Sequence, residues 1–181
     1  MANWITNTIM AKNIKTLDIL DENGNIDFNK IIPEPVDEAT CPKEYLYTEN
    51  NPEHIIPSKE KPWFNWSKWR KQFWGVTCNA DTDQTESKTE TNDVLNFDTK
   101  WNAPYPIIAK ISKMLGDTEL THSCLNIDTM YGTIYKTVWK DGKMIASYES
   151  QFEYDLDPNA ETDGEYGDFI PTEISNEFNI D

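Results

Sequence analysis

Four groups of residues have the types and spacing to do chemistry. The first is acidic. Asp81, Asp83, Glu86 and Glu90 lead to Asp93 in a Thr-rich stretch, and Asp155, Asp157, Glu161, Asp163, Glu165 and Asp168 lie near the end of the sequence. A carboxylate array can occupy the Lys- and Arg-rich channels that normally hold phosphates. Arg–carboxylate forks and counterion release would stabilise such a complex. The plain alternative is that the acidity keeps a small protein soluble. The second group is Asp155-x-Asp157-x-Asn159, which opens like a calcium loop. That loop needs Gly at its sixth position and Glu at its twelfth. Ala160 and Tyr166 stand there, so an acidic turn is expected and no metal. The third is His122-x-Cys124, a spacing that puts both side chains on one face of a strand. A nucleophilic pair needs mutual hydrogen-bond geometry, and the bland reading is a core thiol beside a surface histidine. The fourth is the basic aromatic run from Lys59 to Lys71. Trp63, Trp66, Trp69 and Arg70 could stack bases, or Trp66 and Phe73 could anchor a core while Lys68 and Lys71 face water.

The elements that must position these groups come from a chain of 181 residues with 32 Asp and Glu against 16 Lys and Arg, a net charge of −16. This length suits one elaborated domain or one domain with a tail. The charge opposes nucleic-acid binding, which runs on Lys and Arg. No stretch approaches the ~20 apolar residues of a membrane span. Cys41, Cys78 and Cys124 are odd in number and widely spaced, so neither a disulfide framework nor a zinc pattern is visible. No phosphate loop, GxSxG or HExxH occurs; neither an enzyme nor a cofactor is expected. Met1-Ala2-Asn3-Trp4-Ile5 lacks the basic and apolar regions of a signal peptide, which points to a cytoplasmic protein in a bacterial host.

Residues 4–11 read as a strand. Asp21-Glu22-Asn23-Gly24-Asn25 reads as a turn, and the Pro-rich residues 36–62 as a loop insertion. Residues 63–74 have helical spacing. A strand is expected over 75–81, with Cys78 a buried thiol in it, and a hairpin loop over 81–93. Val94 to Trp101 mark a strand. Pro104-Tyr105-Pro106 opens a helix whose Ile107, Ile108, Ile111 and Leu115 form one stripe, closed by Gly116. Strands follow over 119–127 and Thr133–Trp139. Asp141-Gly142 then predicts a type I′ hairpin returning through Met144–Tyr148. From Met144 onward there are eleven carboxylates and no Lys or Arg. Phe152, Tyr154, Tyr166, Phe169, Ile170, Ile174 and Phe178 interrupt that stretch. The division is thus residues 1–150 as a domain and 151–181 as an acidic C-terminal segment.

The order of elements predicts an α+β fold with the split βαβ of ferredoxin-like proteins and an antiparallel sheet. Particular residues carry a resemblance. Ala2-Asn3-Trp4-Ile5-Thr6-Asn7 and Phe28-Asn29-Lys30-Ile31-Ile32-Pro33-Glu34-Pro35 resemble segments of the YubB-type ferredoxin-like family of phage and plasmid proteins. Trp74-Gly75-Val76-Thr77-Cys78-Asn79-Ala80 is similar to the family's Trp-Gly-Thr-Lys-Trp-Asn-Ala motif, with Val76 and Cys78 as departures. Phe97-Asp98-Thr99-Lys100-Trp101-Asn102-Ala103-Pro104 is similar to its aromatic-x-Thr-x-Trp-x-x-Pro motif. The resemblance implies a mobile-element origin and a ferredoxin-like core, and it implies no reaction.

Two functional expectations result. In the first, the protein is an anti-defence inhibitor whose acidic surfaces, the two carboxylate sets above, bind a host protein that handles nucleic acid. The most concrete form is an anti-CRISPR protein acting on guide-loaded Cas9, because such effectors hold nucleic acid in a positive channel. It would not bind naked nucleic acid. In the second, the protein is a nucleic-acid-binding accessory protein using Trp63, Trp66, Trp69 and Arg70.

Overall fold

A computed structural model describes residues 3–47, 59–81, 93–127 and 131–153. Strand β1 (Trp4–Met10) is the second strand of a five-stranded antiparallel sheet. It pairs with β2 (Val94–Lys100) on one side and β3 (Leu120–Ile127) on the other; β4 (Tyr131–Lys140) and β5 (Lys143–Glu153) continue the sheet beyond β3. Helix α3 (Tyr105–Leu115) joins β2 to β3, with β1 between them. That is one split β-α-β unit followed by a meander, an α+β architecture. Short helices α1 (Phe28–Ile31) and α2 (Trp66–Phe73) lie in the connection from β1 to β2. No helix among the described residues is long and apolar enough to cross a membrane.

The core forms where the stripe of α3 meets one sheet face. Ile107, Ile108 and Ile111 are buried with Ile9, Leu95, Phe97, Leu120 and Trp139. Pro106 sits in the first turn of α3, where no intrahelical N–H is needed, and Gly116 with φ 61° ends it. Asp141 and Gly142 have φ 47° and 74°, the backbone of a type I′ turn. This turn docks on the end of α3: Gly142 N–H donates to Ser112 Oγ at 3.2 Å and Asp141 N–H to Gly116 O. A Cβ on Gly142 would lie 3.3 Å from the Ala109 carbonyl oxygen, so glycine serves both the turn and the close approach.

Residues 75–81 do not form the expected strand. They bend through Gly75 at φ 83°, and only Asp81 pairs with β2, through Asp98. The reason lies in the side chains that satisfy this backbone. Arg70 Nη1 donates to Thr77 O, and Asn79 Oδ1 accepts from the N–H groups of Phe28 and Ala80. Cys78 is accordingly half-buried, not a core thiol. The insertion at 36–62 is also more than a loop where described. Cys41 and Tyr45 enter the core, and Leu46 forms a bridge with Phe64. The hairpin loop read over 81–93 lies, apart from Asp81 and Asp93, outside the described residues. Strand β5 carries on through Glu153, past the residue-150 boundary.

Candidate functional site

Of the acidic residues singled out, Asp155, Asp157, Glu161, Asp163, Glu165 and Asp168, together with Asp83, Glu86 and Glu90, lie outside the described residues. Asp81 is described. Its N–H donates to Asp98 O, and Asp98 N–H donates to Asp81 O, placing the Asp81 backbone against the edge of β2.

The aromatic–cation run is used internally. Asn65 caps helix α2, its side-chain oxygen accepting from Lys68 N–H. From there Trp69 points into the core at 4% exposure, in contact with the rings of Phe64, Phe73 and Trp74. Trp63 and Trp66 pack half-buried against the same core. The Arg70 guanidinium carbon lies 4.8 Å from the Trp74 ring centroid and 5.3 Å from that of Trp66. Its Nε donates to Glu34 Oε1 at 2.6 Å, and Lys61 Nζ reaches Glu34 Oε2 at 3.3 Å. Trp69 and Arg70 therefore present no stacking face to a nucleic acid, which corrects the second functional expectation at these two residues. Glu34→Ala would strand a guanidinium held between two indoles. The loss expected is about 2 kcal/mol, between the ~1 of an exposed pair and the ~3–5 of a fully buried one. Urea unfolding of Glu34→Ala beside Glu34→Gln, which still accepts from Arg70, measures it; no loss in the Ala variant would mean that the rings alone hold Arg70.

His122 is not a surface residue. It is fully buried at 0% exposure. Its Nε2 lies 3.1 Å from Asn7 Oδ1 and its Nδ1 3.3 Å from Thr137 Oγ1. Asn7 Nδ2 donates to Ile5 O and Thr99 Oγ1, so Oδ1 is the acceptor and Nε2 carries the imidazole proton. Burial pulls the His122 pKa down to about 3 and pushes the Cys124 thiol up to about 12. A neutral imidazole with both nitrogens engaged, two positions from a thiol that stays protonated, is core structure and not an activated nucleophile. Among the described residues no group of three or more His, Cys, Asp or Glu is placed to hold a metal ion.

What the fold does assemble is a cavity of about 450 Å³, lined among the described residues chiefly by Trp101, Tyr105, Tyr135, Cys124, Asn126 and Gly75. Two sequence segments distant from one another meet there. Gly75 follows α2, and a Cβ on it would come within 2.9 Å of Pro106 Cδ. Trp101 to Pro106 run from the end of β2 into α3. Trp101 has φ 72° and is 57% exposed. The turn is held by Trp101 N–H donating to Asn3 O, Asn102 N–H to Lys100 O and Thr99 Oγ1 to Asn102 O.

A comparison with protein families matches residues 74–166 to a ferredoxin-like domain in Api92-like protein. The chain belongs to this ferredoxin-like family. The matched stretch starts at Trp74 and takes in every cavity residue just named. Comparison with curated proteins and with solved structures finds no match. Sequence reading quoted Gly75 and Trp101 only as parts of motifs. It found neither their meeting nor the cavity, because both depend on α3 folding back so that Pro106 lies against Gly75. The resemblance of the Trp74–Ala80 and Phe97–Pro104 segments to family motifs is the one signal the sequence carries for it.

Proposed function

We propose that this member of the ferredoxin-like family is a non-catalytic inhibitor. Its carboxylates compete with nucleic acid for a cationic channel of a host defence protein, most concretely a Cas9-type effector carrying its guide. The observation that carries this reading is the run from Met144 onward, with eleven carboxylates and no cation, in a chain of net charge −16. Such a field repels naked nucleic acid and attracts Lys- and Arg-rich grooves. The inward use of Arg70 and Lys61, both bound to Glu34, adds support by withholding two cations from any phosphate. The buried state of His122 and Cys124 speaks against one enzymatic route, nucleophilic catalysis by that pair. The resemblance of the Trp74–Ala80 and Phe97–Pro104 segments to YubB-type proteins adds a phage or plasmid setting.

The test is retention of guide-loaded Cas9 by the tagged protein at two salt concentrations, with target DNA as competitor. Retention that weakens at high salt and is competed by DNA is the expected result, with inhibition saturating at one-to-one stoichiometry. Replacing Asp155, Asp157, Glu161 and Asp163 by Lys should abolish it. Undiminished inhibition by that variant would count against this surface, and no retention of the wild type would remove this target.

A further inference from the structure

We infer that the cavity under Trp101 is a binding site for an uncharged planar heterocycle, a nucleobase presented free or as its nucleoside. The first observation is Trp101 itself. Positive φ is a rare state for a bulky residue, and glycine would take it without steric cost. The indole on this strained backbone has no ring or cation partner among the described residues and stands half out of the protein. Strain of this kind persists where surrounding bonds over-determine it, and it clusters at ligand sites. Here the bonds to Asn3, Lys100 and Thr99 do that work.

The second observation is the lining. Trp101, Tyr105 and Tyr135 are aromatic, and no Lys, Arg, His, Asp or Glu lines the cavity among the described residues. A phosphate would find no counter-charge there and would meet a net charge of −16; the carboxylate that reaches this region is Glu149, opposite Tyr135 on β5 and outside the lining. A neutral ring with a π-face meets neither penalty, and stacking on an aromatic side chain tolerates any base. The third observation gives the edge contact. Asn126 Oδ1 already accepts from Asn3 Nδ2 at 2.8 Å, so its Nδ2 remains as a donor. A ring nitrogen or exocyclic carbonyl of a base is the matching acceptor. The volume, about 450 Å³, falls in the range of small-molecule pockets. This inference does not rest on the acidic-surface reading, and either can fail without the other.

The test uses the full chain and four nucleosides (adenosine, guanosine, cytidine and thymidine), read by saturation-transfer NMR and by tryptophan fluorescence. Saturable binding of at least one nucleoside is expected, with its 5′-monophosphate binding more weakly. Trp101→Gly suits the local backbone and should keep the far-UV circular dichroism while weakening binding roughly tenfold, the worth of one lost base–aromatic stack. Trp101→Phe should keep most of the affinity. No saturable binding of any nucleoside overturns the inference. So does unchanged affinity in Trp101→Gly, or a monophosphate that binds more tightly than its nucleoside. The wild-type comparison of nucleoside with monophosphate decides the matter even if a variant fails to fold.

Discussion

Trp74→Ala will remove about a third or more of the stability of the domain. Trp74 is 1% exposed. Its ring stands edge-on to Phe28 at 5.9 Å and to Trp69 at 5.8 Å, and the Arg70 guanidinium lies over it. Its Nε1 donates to Ile32 O at 2.8 Å. Truncation removes a large buried ring, costing about 3–5 kcal/mol in transfer and cavity terms. It also orphans a carbonyl, for ~1 kcal/mol more. Against a typical total of ~5–15 kcal/mol, that is about a third or more of the stability of a small domain. Trp74→Phe keeps a ring and loses the N–H, so a loss of about 1–2 kcal/mol is expected. Urea midpoints followed by near-UV circular dichroism measure both. A midpoint shift in Trp74→Ala no larger than in Trp74→Phe would mean that the site collapses and that the cluster is plastic.

The second large effect is a pH profile. Asp98 is buried, its Oδ1 has no hydrogen-bond partner, and burial, with Asp81 adding repulsion, raises its pKa to about 6. A carboxyl whose folded pKa exceeds its unfolded value stabilises below the unfolded pKa, near 3.8, and loses that contribution as pH rises through about 6. His122 runs the other way. Its folded pKa, about 3, lies below the unfolded 6.5, so its contribution is complete above 6.5 and is lost as pH falls toward 3. Between pH 4 and 6 each slope is about 1.4 kcal/mol per pH unit, of opposite sign. Wild-type stability should therefore be nearly flat across that window. Asp98→Asn removes one slope. The variant should be more stable than wild type at pH 7, by about 3 kcal/mol for the two-unit shift, and should lose stability steeply from pH 6 to 4. Thermal melts at half-unit pH intervals test this. A wild type that already slopes as steeply as the variant would show that Asp98 titrates near its ordinary value.

Helix α3 and the β4–β5 hairpin were legible because their signals are local. The Ile107, Ile108 and Ile111 stripe with Gly116 behind it, and Asp141-Gly142 between alternating runs, each state one conformation within a dozen residues. Residues 75–81 mislead for the opposite reason. Val76 and Cys78 look like strand residues, yet the backbone beside them is served by side chains, Thr77 O by Arg70 and Ala80 N–H by Asn79, and no periodicity reports that. A histidine among Thr, Ser and Asn residues looks polar, so the sequence points His122 outward; its partner Asn7 is 115 positions away. The spacing of Trp66, Trp69 and Phe73 gave α2 its helical face, but a face of aromatics reads the same whether it meets a ligand or a core. The cavity was least legible of all, since Trp101 carries no local mark of a left-handed backbone.

The position of β1 also sets the order in which this molecule can assemble. It lies between β2 and β3, and its Asn7 touches Thr99 and His122, 92 and 115 positions downstream. During synthesis, at ~5–20 residues per second, β1 therefore waits several seconds with both hydrogen-bonding edges bare. Contacts so far apart along the chain also make closure slow. The waiting strand, Trp4-Ile5-Thr6-Asn7-Thr8-Ile9-Met10, is uncharged, the kind of segment that pairs with another copy when left open. Crowded expression should thus lose material to aggregation before folding, and slower translation or a holding chaperone should recover it.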